Sequence, residues 1–397
     1  MNEWKEYKLG ELAEITSSKR IFYSDYVLEG IPFFRSKEII EKALGQKTNE
    51  TLYISKEKYD DIKQKFGSPI DGDLLISAVG ERAGIPYVVK DLGDFYFKDG
   101  NLIWLRNIKS ELNIDYFCYW LKSIIGQFSL ESIMIGSAQK ALTIIGLKNL
   151  EISIPNSSSQ KTIASILSSL DDKIDLLHSQ NATLEAMAET LFRQWFVEEA
   201  KEDWEETNLF DSIELIGGGT PKTENAEYWD GNIKWLSCGD ISANHKNFVV
   251  RTEKSITEIG LQNSSAKLLP KFSTVISARG TVGKYCLLSE PMAYSQSNYG
   301  IKPKFEGCFF FTYLLVAYSV NELQAAAYGS VFDTITTTTF KELKISLPES
   351  LVIQEFEEIA KPYFKKMFNN QNQIRTLTSL RDTLLPKLMS GEVRVEI

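Results

Sequence analysis

The side chains that most often do chemistry in proteins are sparse in this sequence and far apart. Only two of the 397 residues are histidines, His178 and His245, and no two of the four cysteines form a CxxC pair. Histidine supplies much of general acid–base catalysis, and closely spaced Cys and His residues hold zinc. The pattern disfavours a histidine-based active site, a zinc site and a disulfide framework, and it favours reduced cytosolic thiols.

Two glycine-containing runs invite comparison with nucleotide-binding loops, and neither has the required spacing. The run 279–284 lacks the first glycine of a phosphate-binding loop, and Tyr285 stands where Ser or Thr would bind magnesium. The run 217–219 lacks the GxGxxG spacing and a following helix. The Pro-Pro-Tyr loop of amino-methyltransferases is also missing. The sequence predicts a binding and scaffolding protein with no cofactor of its own.

Composition and hydropathy place the chain among globular proteins. Hydrophobic residues make up 43% and charged residues 24%, which is ordinary for a soluble protein. The opening MNEWKEYKLG is not a secretory signal, and the longest nearly apolar run, 308–320, is too short for a membrane span. We therefore expect a cytoplasmic protein with no membrane partner.

The residues that could bind a partner are carried by two copies of one long repeat. The matched segments are 31–39 with 233–241, 74–80 with 274–280, and 136–155 with 329–348, at shifts of 202, 200 and 193 residues. Each copy begins with short runs of Gly, aromatic and β-branched residues that turn signals separate. This texture predicts an α+β globule in each copy.

After Pro155 and Pro348 each copy changes to a helical pattern, with Ser157 to Ser159 as the expected N-cap of the first helix. Apolar residues recur at alternating steps of four and three, which indicates a coiled-coil seam. In the second copy Pro362 should kink or delay the helix, and Pro386 should end or bend it. The predicted helix-pairing residues are Leu170, Ile174, Leu177, Asn181, Leu184 and Leu191 in the first helix and Met367, Asn370, Ile374, Leu377 and Leu384 in the second.

Two long seams in one chain favour helices that pair with each other, and we hypothesise that they do so as an antiparallel coiled coil. The alternative is that each amphipathic helix packs on its own domain. Antiparallel pairing would let Asn181 and Asn370 hydrogen-bond near mid-helix and set the register; alternatively, both contact solvent. The predicted domains are a first head (1–156), a central helix (157–198), a second head (199–349) and a C-terminal helix (350–397), with the heads related by pseudo-symmetry.

Several segments resemble the specificity subunit of Type I restriction–modification enzymes. They are KRIFYSDYVLEGIPFFRSKEI (19–39), LFRQWFV (191–197), GGGTPKT (217–223), YWDG (228–231), ISARGTVGK (276–284), KELKISLP (341–348) and SLRDTLLPKLMSGEVRV (379–395). The resemblance extends over essentially the whole chain. It implies two target-recognition domains, each of which reads one half of a split, asymmetric double-stranded DNA target. The paired helices would then set the distance between the half-sites.

The resemblance also implies that catalysis resides in partner proteins. Two modification subunits, which carry S-adenosylmethionine and methylate adenine, would dock on the helices and nearby surfaces. Restriction subunits with ATP- and magnesium-dependent translocase and nuclease activity would join them. This chain would be a non-catalytic part of a defence against foreign DNA. Two other classes remain open, a self-contained DNA methyltransferase with a divergent active site and a coiled-coil adaptor that binds protein rather than DNA.

Polar and basic residues in the loops of both heads are the candidates for DNA contact. Bases are read by Arg, Lys, Asn, Gln, Ser and Thr side chains, and each candidate lies in or beside a family-like loop or at a position equivalent between the copies. They are Arg35, Ser36, Lys37, Arg82, Lys98, Gln139 and Lys140 in the first head and Thr220, Lys222, Ser237, Arg279, Lys284, Gln296 and Asn298 in the second. For each of them the alternative is an ordinary exposed side chain.

The net charge of −9 argues against a DNA-binding protein only until the charges are located. Between residues 198 and 206, six acidic residues stand against one lysine. More than half of the acidic excess therefore lies in the connector between the copies, and the rest of the chain is close to neutral. A near-neutral body predicts weak non-specific DNA binding by this chain alone, with much of the phosphate contact made by the modification subunits.

Overall fold

The computed structural model describes residues 4–46, 48, 50–136, 140–328 and 333–395. Gln139, one of the candidates for DNA contact, lies outside the described residues. The chain divides into two compact units. Unit 1 consists of the described residues of Met1–Lys173 and Leu377–Ile397, and unit 2 consists of those of Ile174–Thr376. Each unit therefore contains one head together with part of both long helices.

The first head consists of short strands and helices, as the alternation of apolar runs and turn signals predicts. Its strands are β1 (Lys5–Lys8), β2 (Glu14–Thr16), β3 (Tyr26–Val27), β4 (Ile31–Phe34), β5 (Leu52–Ile54), β6 (Leu74–Ser77), β7 (Pro86–Val88), β8 (Tyr96–Phe97), β9 (Leu102–Arg106) and β10 (Glu151–Ile154). Its helices are α1 (Leu9–Leu12), α2 (Ser36–Ala43), α3 (Lys56–Phe66), α4 (Ile114–Lys122), α5 (Ile124–Ile133) and α6 (Ile144–Lys148), and the long helix α7 (Ser157–Arg193) follows.

These strands form one antiparallel sheet, one mixed sheet and one separate pair. The antiparallel sheet has the order β2-β9-β6-β7, and the second sheet has the order β3-β5-β4-β8, in which β4 and β8 run parallel. Strands β1 and β10 pair with each other and close the head where α7 begins. Strand β6 lies inside the antiparallel sheet and is buried along its whole length, in keeping with the apolar run Leu74 to Ile76.

The second head repeats this plan. Its strands are β11 (Glu205–Asn208), β12 (Ile213–Gly217), β13 (Trp229–Leu236), β14 (Phe248–Val249), β15 (Lys254–Ile256), β16 (Thr274–Ser277), β17 (Tyr285–Leu288), β18 (Ala293–Tyr294), β19 (Asn298–Pro303) and β20 (Lys344–Leu347). Its helices are α8 (Cys238–Ala243), α9 (Glu258–Gln262), α10 (Phe309–Tyr328) and α11 (Thr337–Glu342), and the long helix α12 (Ser350–Met389) follows.

The strand orders of the two heads correspond. The order β12-β19-β16-β17 repeats β2-β9-β6-β7, with β14 added at the edge, and the pair β11-β20 repeats β1-β10. The parallel pair of β13 and β18 repeats that of β4 and β8. The structure therefore confirms the prediction of two copies of an α+β head, each followed by a long helix.

One stretch of helix differs between the copies. The second head has a continuous α10, whereas the equivalent stretch of the first head breaks between α4 and α5 at Ser123. The Ser123 hydroxyl donates to the carbonyl of Trp120 at 2.6 Å and accepts from the amide of Gly126 at 3.2 Å. A serine that bonds the backbone in this way ends one helix and caps the next.

The two long helices pair antiparallel. In unit 1, Asp171 of α7 contacts Arg381 of α12 at 2.8 Å. In unit 2, the ring centroids of Phe196, three residues after the end of α7, and Phe356 of α12 lie 4.9 Å apart. Earlier residues of α7 thus meet later residues of α12, and later residues meet earlier ones. The antiparallel pairing predicted from the heptads is confirmed.

The predicted helix-pairing residues are all shielded from solvent to some degree. Ile174, Leu177, Asn181, Met367, Asn370 and Ile374 are buried, and Leu170, Leu184, Leu191, Leu377 and Leu384 are half-buried. Asn370 Nδ2 donates to Asn181 Oδ1 at 2.9 Å, within unit 2. Of the two alternatives for these asparagines, a mutual hydrogen bond or contact with solvent, the structure shows the hydrogen bond.

Two expectations about the ends of the helices were wrong. Helix α12 begins at Ser350 and continues through Pro362, so this proline does not delay it. Pro362 is exposed, and there water can bind the carbonyl that lacks an N–H partner. The N-cap of α7 is Asn156, whose side-chain oxygen accepts from the amide of Ser159 at 2.9 Å; the serines themselves form the first turn.

Within the described ranges, no helix combines the length and the apolar character that crossing a membrane requires.

Candidate nucleic-acid interface

Two candidates of the first head follow parallel strands that end at the same edge of a sheet. Strands β4 and β8 pair in parallel, and the amide of Lys98 donates to the carbonyl of Phe34 at 2.9 Å. Arg35 follows β4 directly, and Lys98 follows β8. The structure therefore brings Arg35 and Lys98 together, and the Lys98 side chain is exposed.

The side chain of Arg35 is partly occupied by an internal ion pair. Its Nε lies 3.0 Å from Oε1 of Glu38, and its backbone amide donates to Glu38 Oε2 at 2.7 Å, which starts α2. Burial raises the pKa of Glu38, but the hydrogen bonds from Arg35 outweigh it and hold the pKa below its ordinary value. Ser36 is half-buried at the first position of α2, and Lys37 is exposed with its Nζ 3.8 Å from Glu41.

The loop between β6 and β7 brings two more candidates to this region. The amide of Ala78 donates to the carbonyl of Asn101 at 2.9 Å, and that of Gly80 donates to the carbonyl of Lys140 at 3.1 Å. Gly80 has a φ of +90°, which a side chain would strain. Arg82 and Lys140 are both exposed on these neighbouring segments.

In the second head, Thr220 and Gln296 lie on adjoining loops. The amide of Gln296 donates to Thr220 Oγ1 at 3.4 Å, and the amide of Gly219 donates to the carbonyl of Tyr294 at 3.0 Å. A Cβ at Gly219 would lie 2.2 Å from the backbone nitrogen of Ala266. A Cβ at Gly218 would lie 2.1 Å from the carbonyl oxygen of Ser295. Gly218 and Gly219 thus allow neighbouring loops to approach, in keeping with the lack of a nucleotide-binding spacing in this run.

Lys222 is exposed on the same loop as Thr220. Its carbonyl accepts a hydrogen bond from Trp229 Nε1 at 3.1 Å, which ties the loop to the start of β13.

A second group in this head is linked through Cys238. Its Sγ donates to Asn298 Oδ1 at 3.2 Å and lies 3.5 Å from the carbonyl of Arg279. Ser237 caps α8, since its Oγ accepts from the amide of Asp240 at 3.2 Å. The Arg279 side chain is exposed.

Two candidates of the second head differ from the others, Asn298 in its burial and Lys284 in its position. Asn298 is buried, with 1% of its surface exposed, and its Nδ2 donates to Ser295 Oγ at 2.8 Å. Its amide therefore holds the loops that carry Arg279 and Gln296. Lys284 lies with Glu189 and His245 around a hollow beside α7, and the structure does not place it with Thr220 and Gln296.

Sequence reasoning missed a basic pair beside the edge that Arg35 and Lys98 form. The amide of Lys19 donates to the hydroxyl of Tyr96 at 2.8 Å, and Arg20 Nε lies 3.0 Å from Asp99 Oδ2. Two exposed aromatic residues, Phe22 and Tyr23, follow them. The signal was present, because the family-like opening at 19–39 begins with these two basic residues.

Each head is also fastened to a long helix by a buried tyrosine. In unit 1, Tyr119 donates to Asp171 Oδ2 at 2.7 Å, while Arg381 binds the other oxygen at 2.8 Å. In unit 2, Tyr313 donates to Glu185 at 3.0 Å. Burial raises the pKa of Glu185 to about 7. Both tyrosines bond a carboxylate of α7, and they occupy similar places in the two copies.

The four cysteines are free thiols. In the part of the chain that the structure describes, no three His, Cys, Asp or Glu side chains are grouped to hold a metal ion. Apart from Lys284, the described candidates lie at two loop edges, one in each head, on a scaffold of backbone hydrogen bonds. The exposed ones among them are Lys37, Arg82, Lys98, Lys140, Lys222, Arg279 and Gln296. Such groups suit phosphate and base contacts.

Known proteins share this two-copy plan. The family model of the Type I restriction modification DNA specificity domain matches residues 1–186 and again 201–378. The Type I restriction enzyme HindI specificity subunit of Haemophilus influenzae is 23% identical over 99% of this chain and 100% of its own length. The MjaIX specificity subunit of Methanocaldococcus jannaschii is 25% identical over 99% of this chain and 94% of its own length.

A solved structure shows the same fold. The S subunit of a Type I restriction–modification system from M. genitalium superposes with a TM-score of 0.64 at 16% identity, over 100% of this chain and 97% of that one. The two family matches together cover most of the 397 residues and coincide with the two repeats. The chain therefore belongs to the family of Type I restriction modification DNA specificity domains, of which it carries two copies.

Proposed function

We propose that this chain selects a split, asymmetric DNA target, with the first head on one half-site and the second head on the other. It is a non-catalytic specificity subunit of a Type I restriction–modification system. The observation that carries the proposal is the presence of two copies of one DNA specificity domain, at 1–186 and 201–378. Because the two copies carry different residues at their reading edges, the two half-sites should differ in sequence.

The edge residues support different roles within each half-site. At equivalent positions of the copies, Arg35 and Ser237 both start a short helix, yet one is a guanidinium and the other a hydroxyl. We assign base reading to the exposed Arg82, Arg279 and Gln296, whose side chains can reach base edges. The remaining nominated residues that lie at these edges would contact phosphates or hold the loops, Asn298 among the latter.

The helices are proposed to set the distance between half-sites and to dock the partner subunits. Two modification subunits would bring S-adenosylmethionine and methylate adenine in the cytoplasm, and restriction subunits would bring ATP-driven translocation and cleavage. The relatives named above are specificity subunits of restriction enzymes, which supports assembly with such partners. The two copies of the domain support two modification subunits, one for each copy.

Selection from random duplexes tests the proposal. The chain is purified with its modification subunit and incubated with DNA of random sequence, and bound duplexes are sequenced. We expect two different short motifs at a fixed spacing. Recovery of one contiguous motif, or of no motif, would contradict the proposal, and methyl transfer by the chain alone would contradict its non-catalytic role.

A single-residue variant tests the assignment of base contacts. Replacing Arg279→Ala should relax sequence preference in the second half-site only, at a cost of about 1–3 kcal/mol for the correct base, because a bidentate arginine contact is lost. Lys98→Ala is the comparison variant. It should weaken binding to all sequences alike, and it should reduce the slope of log affinity against log salt concentration by about one. Binding titrations at several salt concentrations distinguish the two. Equal loss on all sequences for Arg279→Ala would refute the base contact.

A further inference from the structure

The segment LFRQWFV (191–197), at the end of α7, holds none of the residues nominated for DNA contact, and several of its residues border two adjoining hollows of unit 2. The first hollow has a volume of about 430 Å³ and the second about 300 Å³. Phe192 and Tyr318 border both, with ring centroids 5.9 Å apart. The two hollows therefore adjoin at these two side chains, and we call the pair of hollows the α7 groove.

One half of the α7 groove is basic. Arg193, Lys246 and Lys284 border it together with one carboxylate, Glu189. Lys246 Nζ lies 2.7 Å from that carboxylate, whereas Arg193 and Lys284 form no ion pair with any residue that the structure describes. Burial, and then the charge of Lys284, lower the pKa of the neighbouring His245. The excess of positive charge suits an anionic group.

The basic half is held in shape by its backbone. Lys246 has a φ of +63°, an unusual conformation for a residue with a side chain, and its amide donates to the carbonyl of Tyr285 at 2.9 Å. A Cβ at Gly283 would lie 2.6 Å from the side chain of Gln324, which itself donates to the carbonyl of Val282 at 2.8 Å. Local strain of this kind persists where surrounding structure enforces it, often at functional sites.

The other half of the groove is mainly apolar. Phe196, Val197 and Leu347 border it, and 38% of Val197 and 47% of Tyr318 is exposed. Glu206, Glu322 and Lys344 also border it, and Lys344 Nζ lies 2.6 Å from Glu206 Oε1. The apolar side chains fit a large side chain of a protein, whereas a lysine already paired with a carboxylate offers little to a phosphate backbone. The acidic connector 198–206 begins directly beside it, and its carboxylates would repel DNA.

We propose that the α7 groove receives a segment of a partner protein that places a carboxylate in the basic half and a large apolar side chain in the apolar half. This inference rests on the proposed function, in which the partner is the modification subunit. Burying an aromatic or aliphatic anchor beside a paired charge is the usual composition of a strong contact point between proteins. DNA is the competing occupant, and the test separates the two.

Site-specific crosslinking identifies the occupant directly. The chain carries a photoreactive phenylalanine analogue in place of Tyr318 and is assembled with the modification subunit, with and without DNA. We expect a crosslink to one segment of the modification subunit in which an acidic residue stands close to a large apolar residue. Crosslinks to DNA, or to no segment of that subunit, would overturn the inference.

A charge reversal measures the contribution of the groove. Arg193→Glu should weaken binding of the modification subunit by about tenfold or more, because it sets like charges together. Lys304→Glu is the matched control, since Lys304 is an exposed lysine of unit 2 outside the groove, and it should leave binding unchanged. Replacing the crosslinked acidic residue of the partner with lysine should restore binding to the Arg193→Glu chain.

The binding results distinguish failure of the proposed function from failure of the inference about the α7 groove. If the unaltered chain does not bind the modification subunit, both the proposed function and this inference fail. If the unaltered chain and Arg193→Glu bind it equally well, the inference alone fails. Unfolding curves of both variants show whether a loss of binding comes from a loss of structure; a loss with an unchanged curve supports the groove.

Discussion

Asn181 and Asn370 form a polar contact inside an otherwise apolar seam, and the contact is incomplete. One hydrogen bond of 2.9 Å joins their side-chain amides. Asn181 Nδ2 and Asn370 Oδ1, however, are buried without a hydrogen-bond partner among the described residues. An unsatisfied buried polar group costs about 1–3 kcal/mol. The pair therefore lowers stability while it favours one register of the helices.

Substitution of this pair should show both effects. Asn370→Leu alone should destabilise the chain by about 1–3 kcal/mol, because Asn181 loses its partner. Asn181→Leu with Asn370→Leu should raise the midpoint of denaturation above that of the unaltered chain and relax the register. Chemical denaturation of the two single variants, Asn181→Leu and Asn370→Leu, and of the double variant measures the coupling. A double variant that is less stable than either single one would contradict the account.

A buried carboxylate gives unit 2 a dependence on pH. Glu357 is 4% exposed and accepts hydrogen bonds from the amides of Phe310 and Phe311. Burial raises its pKa to about 7 from an ordinary value of 4.5, although these hydrogen bonds oppose the shift. The folded state thus holds a proton that the unfolded state releases, so stability falls as pH rises from 4.5 to about 7.

The variant Glu357→Gln should remove this dependence. The amide oxygen of glutamine can still accept from both backbone amides, but it carries no charge to bury. Stability at pH 8 should rise by an amount on the order of 3 kcal/mol at most, and at pH 5 it should change little. Denaturation at both pH values tests this. Equal effects at the two pH values would show that burial of charge is not the cause.

At this scale the sequence predicted types of residue better than their surroundings. The exposed positions of Arg82, Lys98 and Arg279 agree with loop assignments from turn signals. The burial of Asn298 and the placement of Lys284 beside α7 could not be read from the chain, because they depend on which distant segments each loop meets.

Among the elements, the long helices were the most predictable and the junctions between loops the least. A heptad pattern reports burial along one face directly, so the seam from Leu170 to Leu191 was visible without a structure. The prediction that Pro362 delays α12 was wrong because helix propensity describes an isolated helix. In the fold, packing of Phe364 and Met367 into a core stabilises α12 on both sides of this position. The run of glycines 217–219 did not predict which loops Gly218 and Gly219 approach.

The close approach at Gly219 gives a prediction for the second head. Gly219→Ala should push apart the loops that carry Thr220 and Lys267, because its Cβ would lie 2.2 Å from backbone atoms. Overpacking of this kind costs about 1–3 kcal/mol. Target selection should lose discrimination in the second half-site only. Gly217→Ala is the control, since no atom of the described residues lies within 4 Å of its added Cβ; loss in both half-sites for Gly219→Ala would contradict the assignment.

For the whole molecule, the repeat in the sequence carries more functional information than any single residue. Offsets near 200 between the heads and 193 between the helices already predicted two equivalent domains, and the strand orders repeat accordingly. The net charge, by contrast, wrongly argues against DNA binding when it is taken for the chain as a whole. Much of the acidic excess lies between residues 198 and 206.

If the helices set the spacing of the half-sites, lengthening them should change only the spacing. One heptad inserted into α7 and one into α12, at the level of Asn181 and Asn370, keeps the seam in phase. It adds about 10 Å of helix, which corresponds to about three base pairs of DNA. Sequencing of bound duplexes should show both half-sites unchanged and farther apart; an unchanged spacing would rule out this role of the helices.

The most direct test of the central claim is the pattern of DNA methylation that this chain imposes. The chain is expressed with its modification subunit in a host that lacks adenine methylation, and the genome is sequenced by a method that detects methyladenine. We expect one split motif with two different halves, absent when the chain is omitted. A motif that persists without the chain, or a single contiguous motif with it, would contradict the claim.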